Sequence, residues 1–158
     1  FVPQTENIFP LLTVEENLRV AGGVLARSEV SPRIGEMFSM FPDLARQRRL
    51  AAGSLSGGQR QMLAVARALI VRPRVLMLDE PSAGLSPKFV EMVFAQLSQI
   101  RRAGLTIVLV EQNAKAALAI GDRAYVLVEG REAHEGVARS LWDDPVVAEL
   151  YLGHRRAS

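Results

Sequence analysis

The sequence predicts an α/β fold in which helices flank a parallel sheet and a helical subdomain is inserted before the sheet. Two short apolar runs, Val75–Leu78 and Leu105–Val110, are typical of strands buried inside a sheet. The residues between them predict a helix, because Pro87 can open one and Gly104 can end it near Ala103. Strand, helix and strand at this spacing indicate parallel α/β architecture, and 158 residues suffice for one domain with a core.

The segment of residues 13–50 is predicted to be helical. Thr13-Val14-Glu15-Glu16 is a capping-box pattern, which predicts a helix that runs to about Ala26. A second helix is predicted to start at Ser31-Pro32, since proline is favoured at the first helical position. A short third helix is predicted over residues 44–50.

The remaining elements surround and follow the two strands. A long helix is predicted from Gly57 to Val71, and Asn113 is predicted to cap a helix that ends at Ile120. Residues 124–128 and 131–134 flank Glu-Gly as the strands of a hairpin. Two short helical pieces end the chain, and Pro145 is predicted to open the second.

Composition excludes several kinds of site. The absence of cysteine rules out disulfides and thiolate metal sites, and the separated His134 and His154 do not support a histidine metal cluster. No run approaches the ~18 uninterrupted apolar residues of a spanning helix, which favours a cytoplasmic protein able to dock on a membrane protein. We interpret the basic cluster of Arg46, Arg48 and Arg49 as a solvated helix face rather than a nucleic-acid surface.

An acidic pair, Asp79-Glu80, directly follows the first predicted strand and precedes Pro81. In open α/β sheets, ligands bind just beyond this edge. Asp79 is placed to hold Mg²⁺, often through water, and Glu80 could take a proton from an attacking water. The ordinary alternative is two acids that merely end a strand, and the apolar run before them and the proline after them disfavour it.

A second capping-box pattern opens the long helix, with Ser56 as the cap and Gln59 at the third helical position. Between them lie Gly57 and Gly58, each of which costs a helix roughly 1 kcal/mol relative to alanine. A helix tolerates this cost where its backbone must closely approach another group, and the N–H groups of a helix start attract anions. The pattern predicts a phosphate contact, with an ordinary glycine-containing helix start as the alternative.

Together these motifs resemble the ATP-binding subunits of ABC transporters. Leu55-Ser56-Gly57-Gly58-Gln59 matches the signature motif of that family, and the strand ending in Asp79-Glu80 looks like its Walker B motif. Phe1-Val2-Pro3-Gln4 resembles the start of the Q-loop, and Ser82–Pro87 occupies the place of the D-loop. The resemblance covers essentially the whole chain and implies a P-loop NTPase-like α/β fold.

The resemblance also implies roles toward ATP and Mg²⁺. Asp79 and Gln4 would hold the metal, in part through water, Glu80 would polarise the attacking water, and Gln4 would sense the γ-phosphate. The helix start, Ser56–Gln59, would contact a nucleotide held by a second ATP-binding subunit, and Ser86 would lie near a nucleotide as part of the D-loop. ATP would join the two subunits, as a homodimer or a heterodimer.

The implied partners place the protein peripherally at the cytoplasmic face of the inner or plasma membrane. The segment beside Gln4 would lie against membrane permease subunits, which a solute-binding protein supplies; no nucleic acid is expected. Apolar Ile8, Phe9, Leu11 and Leu12 could contribute to that docking groove, or equally belong to the core of the helical subdomain.

The phosphate-binding P-loop of the family has no counterpart here. Its pattern is G-x-x-x-x-G-K-[ST], and neither Lys88 nor Lys115 follows a glycine. The chain begins with Phe1-Val2, which resembles the end of a strand and predicts a truncated N-terminus. We expect this piece alone to show no ATP turnover in a phosphate-release assay, and the full-length subunit with its partners to be active.

Two further residues differ from those usual in the family, and they help to identify the group within it that this sequence resembles. Gln112 stands where most members have a histidine that bonds the γ-phosphate, and its amide can donate a hydrogen bond but cannot become cationic. Ser86 stands where an aspartate is usual.

The sequence is most similar to one group within the family. Residues 111–114 and the closing residues 148–153 are similar to the second ATPase subunit of branched-chain amino acid importers, a group whose relatives import urea or short amides. Lipopolysaccharide-export ATPases, which share the closing Tyr-Leu-Gly but keep the histidine, are the alternative.

Other classes remain as alternatives. An ABC ATPase of DNA repair or chromosome maintenance would usually carry a long coiled-coil or other insertion, and no sustained heptads lie between Gln4 and Leu55. An ABC protein that acts as a translation factor would carry two ATP-binding domains in one chain. A non-enzymatic adaptor with a degenerate site is left open by Gln112 and Ser86, although an intact Glu80 argues against it.

The domain organisation follows from the same motifs. We interpret residues 1–158 as a partial ABC ATPase domain. Residues 8–55 would form the helical subdomain with the start of the Q-loop. Residues 56–158 would contain the signature helix, the Walker B core and the C-terminal part.

Overall fold

The computed structural model describes residues 1–5 and 7–147, and the chain divides into two units, residues 1–112 and 113–158. The closing motif of residues 148–153 and His154 lie outside the described residues. All predicted site residues lie in the first unit. Among the helices of the described residues, none is both long enough and apolar enough to span a membrane.

The first unit alternates helices and strands after an all-helical beginning. In chain order it consists of α1 (Val14–Ala21), a 3₁₀ turn (Gly22–Val24), α2 (Arg27–Met40), α3 (Pro42–Arg46), a second 3₁₀ turn (Ala52–Ser54), α4 (Gly57–Leu69), β1 (Val75–Asp79), α5 (Pro87–Arg102) and β2 (Thr106–Val110).

The two strands pair in parallel, as predicted. They align residue for residue, and α5 connects them. Pro87 is the first residue of α5, and the helix ends before Gly104, whose positive φ of 95° suits a glycine. Val2 lies alongside β1 through an isolated parallel bridge to Leu78, and its N–H donates to the carbonyl of Met77 (2.8 Å).

The predicted burial of these strands is wrong for one face of the sheet. Leu76 and Leu78 are 1% exposed, whereas Val75 and Met77 are 46% and 48% exposed. In β2, partly buried residues alternate with exposed ones. Successive strand residues point to opposite faces, so this alternation means that only one face is covered. Continuous apolar runs are typical of a sheet covered on both faces, whereas the described residues cover only one.

Helix α1 starts as predicted but ends early. The Thr13 hydroxyl accepts a hydrogen bond from the Glu16 N–H (3.2 Å), and the Glu16 carboxylate accepts one from the Thr13 N–H (2.8 Å). The helix stops at Ala21 rather than near Ala26, because Gly22 follows and the chain tightens into the first 3₁₀ turn.

The predicted start of the next helix is also wrong. Helix α2 begins at Arg27, and Pro32 lies inside it. The side chain of Glu29 accepts a hydrogen bond from the backbone N–H of the cap residue (3.3 Å), which stabilises the earlier start. Inside the helix, Pro32 removes one hydrogen bond and its ring crowds the carbonyl four residues before it. Helix α3 starts at Pro42, before the predicted residues 44–50, because proline is preorganised for the first helical position.

A fully buried asparagine, Asn17, organises the loop before α1. Its Nδ2 donates to the carbonyl oxygens of Phe9 (2.9 Å), Leu12 (3.3 Å) and Thr13 (3.0 Å). Its Oδ1 accepts from the Phe9 N–H (2.8 Å). The carbonyl of Pro10, in the same loop, accepts a bond from the second 3₁₀ turn (2.9 Å). The loop is therefore held from within the helical segment.

The C-terminal end of α4 is capped by an arginine of α2. Arg33 is buried, and it donates from Nε to the carbonyl of Ile70 (2.8 Å) and from Nη2 to that of Leu69 (2.7 Å). It also pairs with Glu36, which accepts a further bond from Arg72 (2.9 Å). A cation suits this position, since helix carbonyls without partners and the helix dipole meet there.

The basic cluster singled out in the sequence is largely engaged in surface ion pairs. Arg46 pairs with Asp43, and Arg48 donates from Nε (2.9 Å) and Nη2 (2.7 Å) to Glu15. The hydrogen bond from Arg48 holds the pKa of the Glu15 carboxyl below its ordinary value. Arg49 is exposed. These contacts agree with a solvated helix face.

The second unit contains the predicted hairpin with short helices beside it. Its elements are α6 (Ala114–Ile120), β3 (Arg123–Val128), β4 (Arg131–Val137) and α7 (Ala138–Leu141). Asn113 caps α6 as predicted, with Oδ1 accepting from the Ala116 N–H (3.2 Å). Residues 145–147 are helical. Leu118, from α6, and Leu141, from α7, belong to the small core of this unit.

Candidate functional site

The acidic pair lies at the carboxyl end of β1, beside the end of β2. Asp79 is the last residue of β1, and its N–H donates to the carbonyl of Val2 (3.1 Å). Glu80 follows with a positive φ of 42°, a left-handed conformation that is uncommon for a residue with a Cβ atom. The Glu80 N–H donates to the carbonyl of Val110, the last residue of β2 (2.9 Å). Both acids are partly exposed, so they lie at the open edge of the sheet.

Two amide side chains meet the two oxygens of the Glu80 carboxylate. Gln4 donates from Nε2 to Oε2 (2.8 Å), and Gln112 donates from Nε2 to Oε1 (2.9 Å). The fold thus brings together three predicted site residues from distant parts of the sequence. Because each amide takes a different oxygen, the carboxylate is held in one orientation. The Gln4 amide also keeps its own oxygen as a possible acceptor or metal ligand.

The start of α4 has the predicted capping box. The Ser56 Oγ accepts from the Gln59 N–H (3.3 Å), and the Gln59 Oε1 accepts from the Ser56 N–H (3.0 Å). Ser56 is only partly buried, and a serine hydroxyl that accepts one bond can still donate its own proton. The side chain therefore remains competent to contact an anion outside the helix.

The two glycines of this helix start are explained by contacts within the chain itself. A methyl group built on Gly58 would lie 2.3 Å from Cδ1 of Phe89, in α5. One built on Gly57 would lie 3.2 Å from Cδ2 of Leu85, in the turn before α5. The close approach inferred from the sequence is thus present, but the group that approaches Gly58 is an aromatic ring of the same chain. Ser86 lies next to this contact, exposed at the N-cap position of α5.

Gly58→Ala is expected to destabilise the complete subunit by about 1–3 kcal/mol, the usual cost of overpacking a close contact. The methyl group and the Phe89 ring cannot both keep their positions. Thermal or urea unfolding measures the loss. Gly35→Ala is the matched control within α2, because a methyl group there would meet no described atom within 4 Å. The control should stabilise by about 0.5–1 kcal/mol, and equal effects at the two glycines would contradict the contact.

One contact beside the site has no counterpart in the sequence-based predictions. Ser82 donates from its N–H to Oε1 of Glu111 (2.9 Å) and from its hydroxyl to Oε2 (2.9 Å). Ser82 is buried and lies in the turn after Glu80, whereas Glu111 follows β2 and precedes Gln112. Both residues belong to segments singled out in the sequence, but only the pairing of β1 with β2 shows that their side chains are in contact.

The chain is similar to known ATP-binding proteins. Residues 1–83 match the family described as ABC transporter. The chain is 48% identical over 154 residues to a probable branched-chain amino acid transport ATP-binding protein of Archaeoglobus fulgidus, a match covering 97% of this chain and 65% of that protein. It is 42% identical over 152 residues to a high-affinity branched-chain amino acid transport ATP-binding protein of Pseudomonas aeruginosa, covering 96% and 65%. The chain thus spans 65% of the length of each relative.

A solved structure supports the same comparison. The ADP conformation of an ATP-binding cassette of an ABC transporter superposes with a TM-score of 0.78 at 26% identity. The superposition covers 96% of this chain and 67% of that one. The predicted α/β fold, with a parallel sheet and flanking helices, is therefore confirmed.

Proposed function

We propose, since the chain belongs to the ABC transporter family, that the complete protein is an ATPase subunit that powers the import of branched-chain amino acids. The two relatives named above are branched-chain amino acid transport ATP-binding proteins, which supports this solute class. The observation that carries the catalytic part is the convergence of Gln4 and Gln112 on the carboxylate of Glu80.

The proposed reaction is in-line attack of water on the γ-phosphate of ATP. Glu80 accepts a proton from the water as the new P–O bond forms, and the bond between the β- and γ-phosphates breaks to release ADP. Gln4 and Gln112 keep the carboxylate oriented toward the sheet edge, where the water must lie. Hydrogen bonds that orient a base contribute by positioning, which together with electrostatic stabilisation accounts for most of the catalysis in phosphoryl transfer.

The donor set at the strand end fits Mg²⁺ in part. Asp79 offers carboxylate oxygens and Gln4 offers an amide oxygen, both hard ligands of the kind Mg²⁺ takes. No group of three or more His, Cys, Asp and Glu side chains in the described residues could hold a metal. We therefore expect these two residues, with nucleotide oxygens and water, to complete the coordination. Bound Mg²⁺ would supply neutralisation of phosphate charge.

The start of α4 is proposed to act on a second subunit. Ser56, Gly57, Gly58 and Gln59 present a helix N-terminus whose serine keeps a hydroxyl proton, which suits a phosphate oxygen. In the assembled transporter this surface would meet the nucleotide held by a second ATP-binding subunit, of the same or another chain. Ser86, in the segment that occupies the place of the D-loop, would lie at the same contact between the two subunits.

The loop before α1 is the proposed contact with the membrane permease, at the cytoplasmic face of the membrane. Leu11 is 93% exposed, and Phe9 is 44% exposed. Asn17 fixes the backbone on both sides of Leu11, so this leucine projects from an ordered loop. An exposed apolar side chain on a fixed backbone is suited to fill a pocket on a partner, because little backbone conformational entropy is lost on binding.

Leu11→Asp is expected to weaken assembly with the permease at least ~10-fold, since burial of an unpaired charge opposes docking. Co-purification of the permease with the tagged complete subunit, at graded concentrations, measures the change. Met92→Asp, on the exposed side of α5, is the matched control and should assemble normally. Equal assembly of the two variants would remove Leu11 from the interface.

The complete subunit, its second ATP-binding subunit, the permease and the solute-binding protein should be reconstituted in vesicles to test the function. We expect ATP-dependent uptake of leucine, isoleucine or valine, with Mg²⁺-dependent phosphate release that these solutes stimulate. Urea serves as the comparison solute. ATP turnover with uptake of urea alone would keep the ATPase and overturn the solute class, and the absence of turnover would overturn the ATPase.

A further inference from the structure

Glu80 needs support from its neighbours because of its backbone conformation. A residue with a Cβ atom at a φ of 42° costs of order 1–3 kcal/mol and persists only where the surrounding structure holds it. On the β1 side, the support is the strand itself. After Glu80 the chain leaves the sheet and turns, with the Ala83 N–H donating to the Glu80 carbonyl (3.1 Å).

The neighbouring strand supplies the rest of the support through Glu111. Its two carboxylate oxygens accept the N–H and the hydroxyl of Ser82, at 2.9 Å each. Because Ser82 is buried, water competes little for these bonds. Hydrogen bonds to a charged acceptor are about twice as strong as those between neutral groups. The turn is thus fastened to β2 two residues beyond Glu80.

The same strand end also positions the amide that contacts Glu80. Gln112 directly follows Glu111 and donates to the Glu80 Oε1. The Val110 carbonyl, one residue before Glu111, accepts the Glu80 N–H (2.9 Å). Three consecutive residues of β2 and its end therefore contact Glu80 or the turn that carries it. Glu111 is the charged member of this set.

We propose that Glu111 is a positioning residue for Glu80: by clamping Ser82, it fixes the turn that aims the Glu80 carboxylate. The inference rests on the ATPase function proposed above and adds a residue to it. Glu111 does not itself touch the reacting atoms. It acts through the backbone between Glu80 and Ser82.

The test is Glu111→Gln in the complete subunit, assembled with its partners. Glutamine keeps the size but replaces one oxygen by an NH₂ group, so one Ser82 donor faces another donor. We expect kcat for ATP to fall about 10- to 100-fold while KM stays within about twofold, since the base and not nucleotide binding is displaced. Glu91→Gln, an exposed site on α5, makes the same charge change and should leave kcat unaltered.

A second measurement separates positioning from a general structural role. In a Glu80→Gln background, Glu111→Gln should cause no further loss of kcat, because residues that act as a unit are not additive. A purely structural role would lower the residual rate again and would overturn the proposal, as would an unchanged kcat in the single variant. Absence of turnover by the wild-type assembly would instead overturn the ATPase function, and the proposal with it.

Discussion

Replacing Glu80 by glutamine is expected to lower ATP turnover by the complete transporter about 10²- to 10⁴-fold, the usual contribution of a general base. The amide has no basic oxygen for the proton of the attacking water. It also places an NH₂ group against one of two donors, the Nε2 of Gln4 or that of Gln112, so the orientation of the side chain is disturbed as well. Steady-state phosphate release by the reconstituted assembly measures the effect.

The binding of ATP is the internal control for this variant. Affinity for a fluorescent ATP analogue should stay within a few-fold of wild type, since Glu80 acts on the water rather than on the nucleotide. Glu91→Gln should retain full turnover. If Glu80→Gln kept near-normal turnover, another group would be the base, and a wild-type assembly without turnover would favour an adaptor subunit with a degenerate site.

Asn17→Ala is expected to destabilise the complete subunit by about 2–4 kcal/mol. The change removes four hydrogen bonds made by one fully buried side chain and leaves the backbone groups of the loop without their partner. Each buried group left unsatisfied costs about 1–3 kcal/mol, and relaxation of the loop toward water limits the total. The shift of the urea unfolding midpoint, at constant slope, measures the loss.

Asn17→Asp is a second variant for the same measurement, and it tests the hydrogen bonds with little change in side-chain shape. Aspartate has nearly the same shape, but it turns a donor into an acceptor that faces the carbonyls of Phe9, Leu12 and Thr13. We expect a loss at least as large as that of Asn17→Ala. Gln99→Ala, on the exposed side of α5, should change stability by no more than about 0.5 kcal/mol. A loss below about 1 kcal/mol for both Asn17 variants would mean that the loop does not depend on this side chain.

Local sequence rules predicted those parts of the fold that depend on neighbouring residues. The caps at Thr13, Ser56 and Asn113 were predictable because a capping bond spans three residues. The end of α1 and the start of α2 were not predicted. Gly22 ends α1 early, and the hydrogen bond of the Glu29 side chain favours a start of α2 before the Ser31-Pro32 pattern. The exposed face of the sheet was not predicted, because continuous apolar strands are typical of a sheet that is covered on both faces.

The candidate site divides in a similar way. The acidic pair and the helix cap are runs of adjacent residues, and both could be proposed from the sequence. The contact of Phe89 with Gly58 and the clamp of Glu111 on Ser82 join residues that are far apart in the chain, and chain patterns carry no information on such contacts. The two glycines of the helix start illustrate this limit. From the sequence we predict that they allow a phosphate to approach the helix, whereas in the structure the ring of Phe89 already requires a glycine at position 58.

Helix α4 is fastened at both ends to different neighbours, with Arg33 of α2 at its C-terminal carbonyls and the Leu85 to Phe89 segment at its glycine start. Its 13 residues make a rod about 20 Å long. Because a helix is stiff along its axis, we expect a displacement of α2 to shift the segment that follows the Glu80 turn.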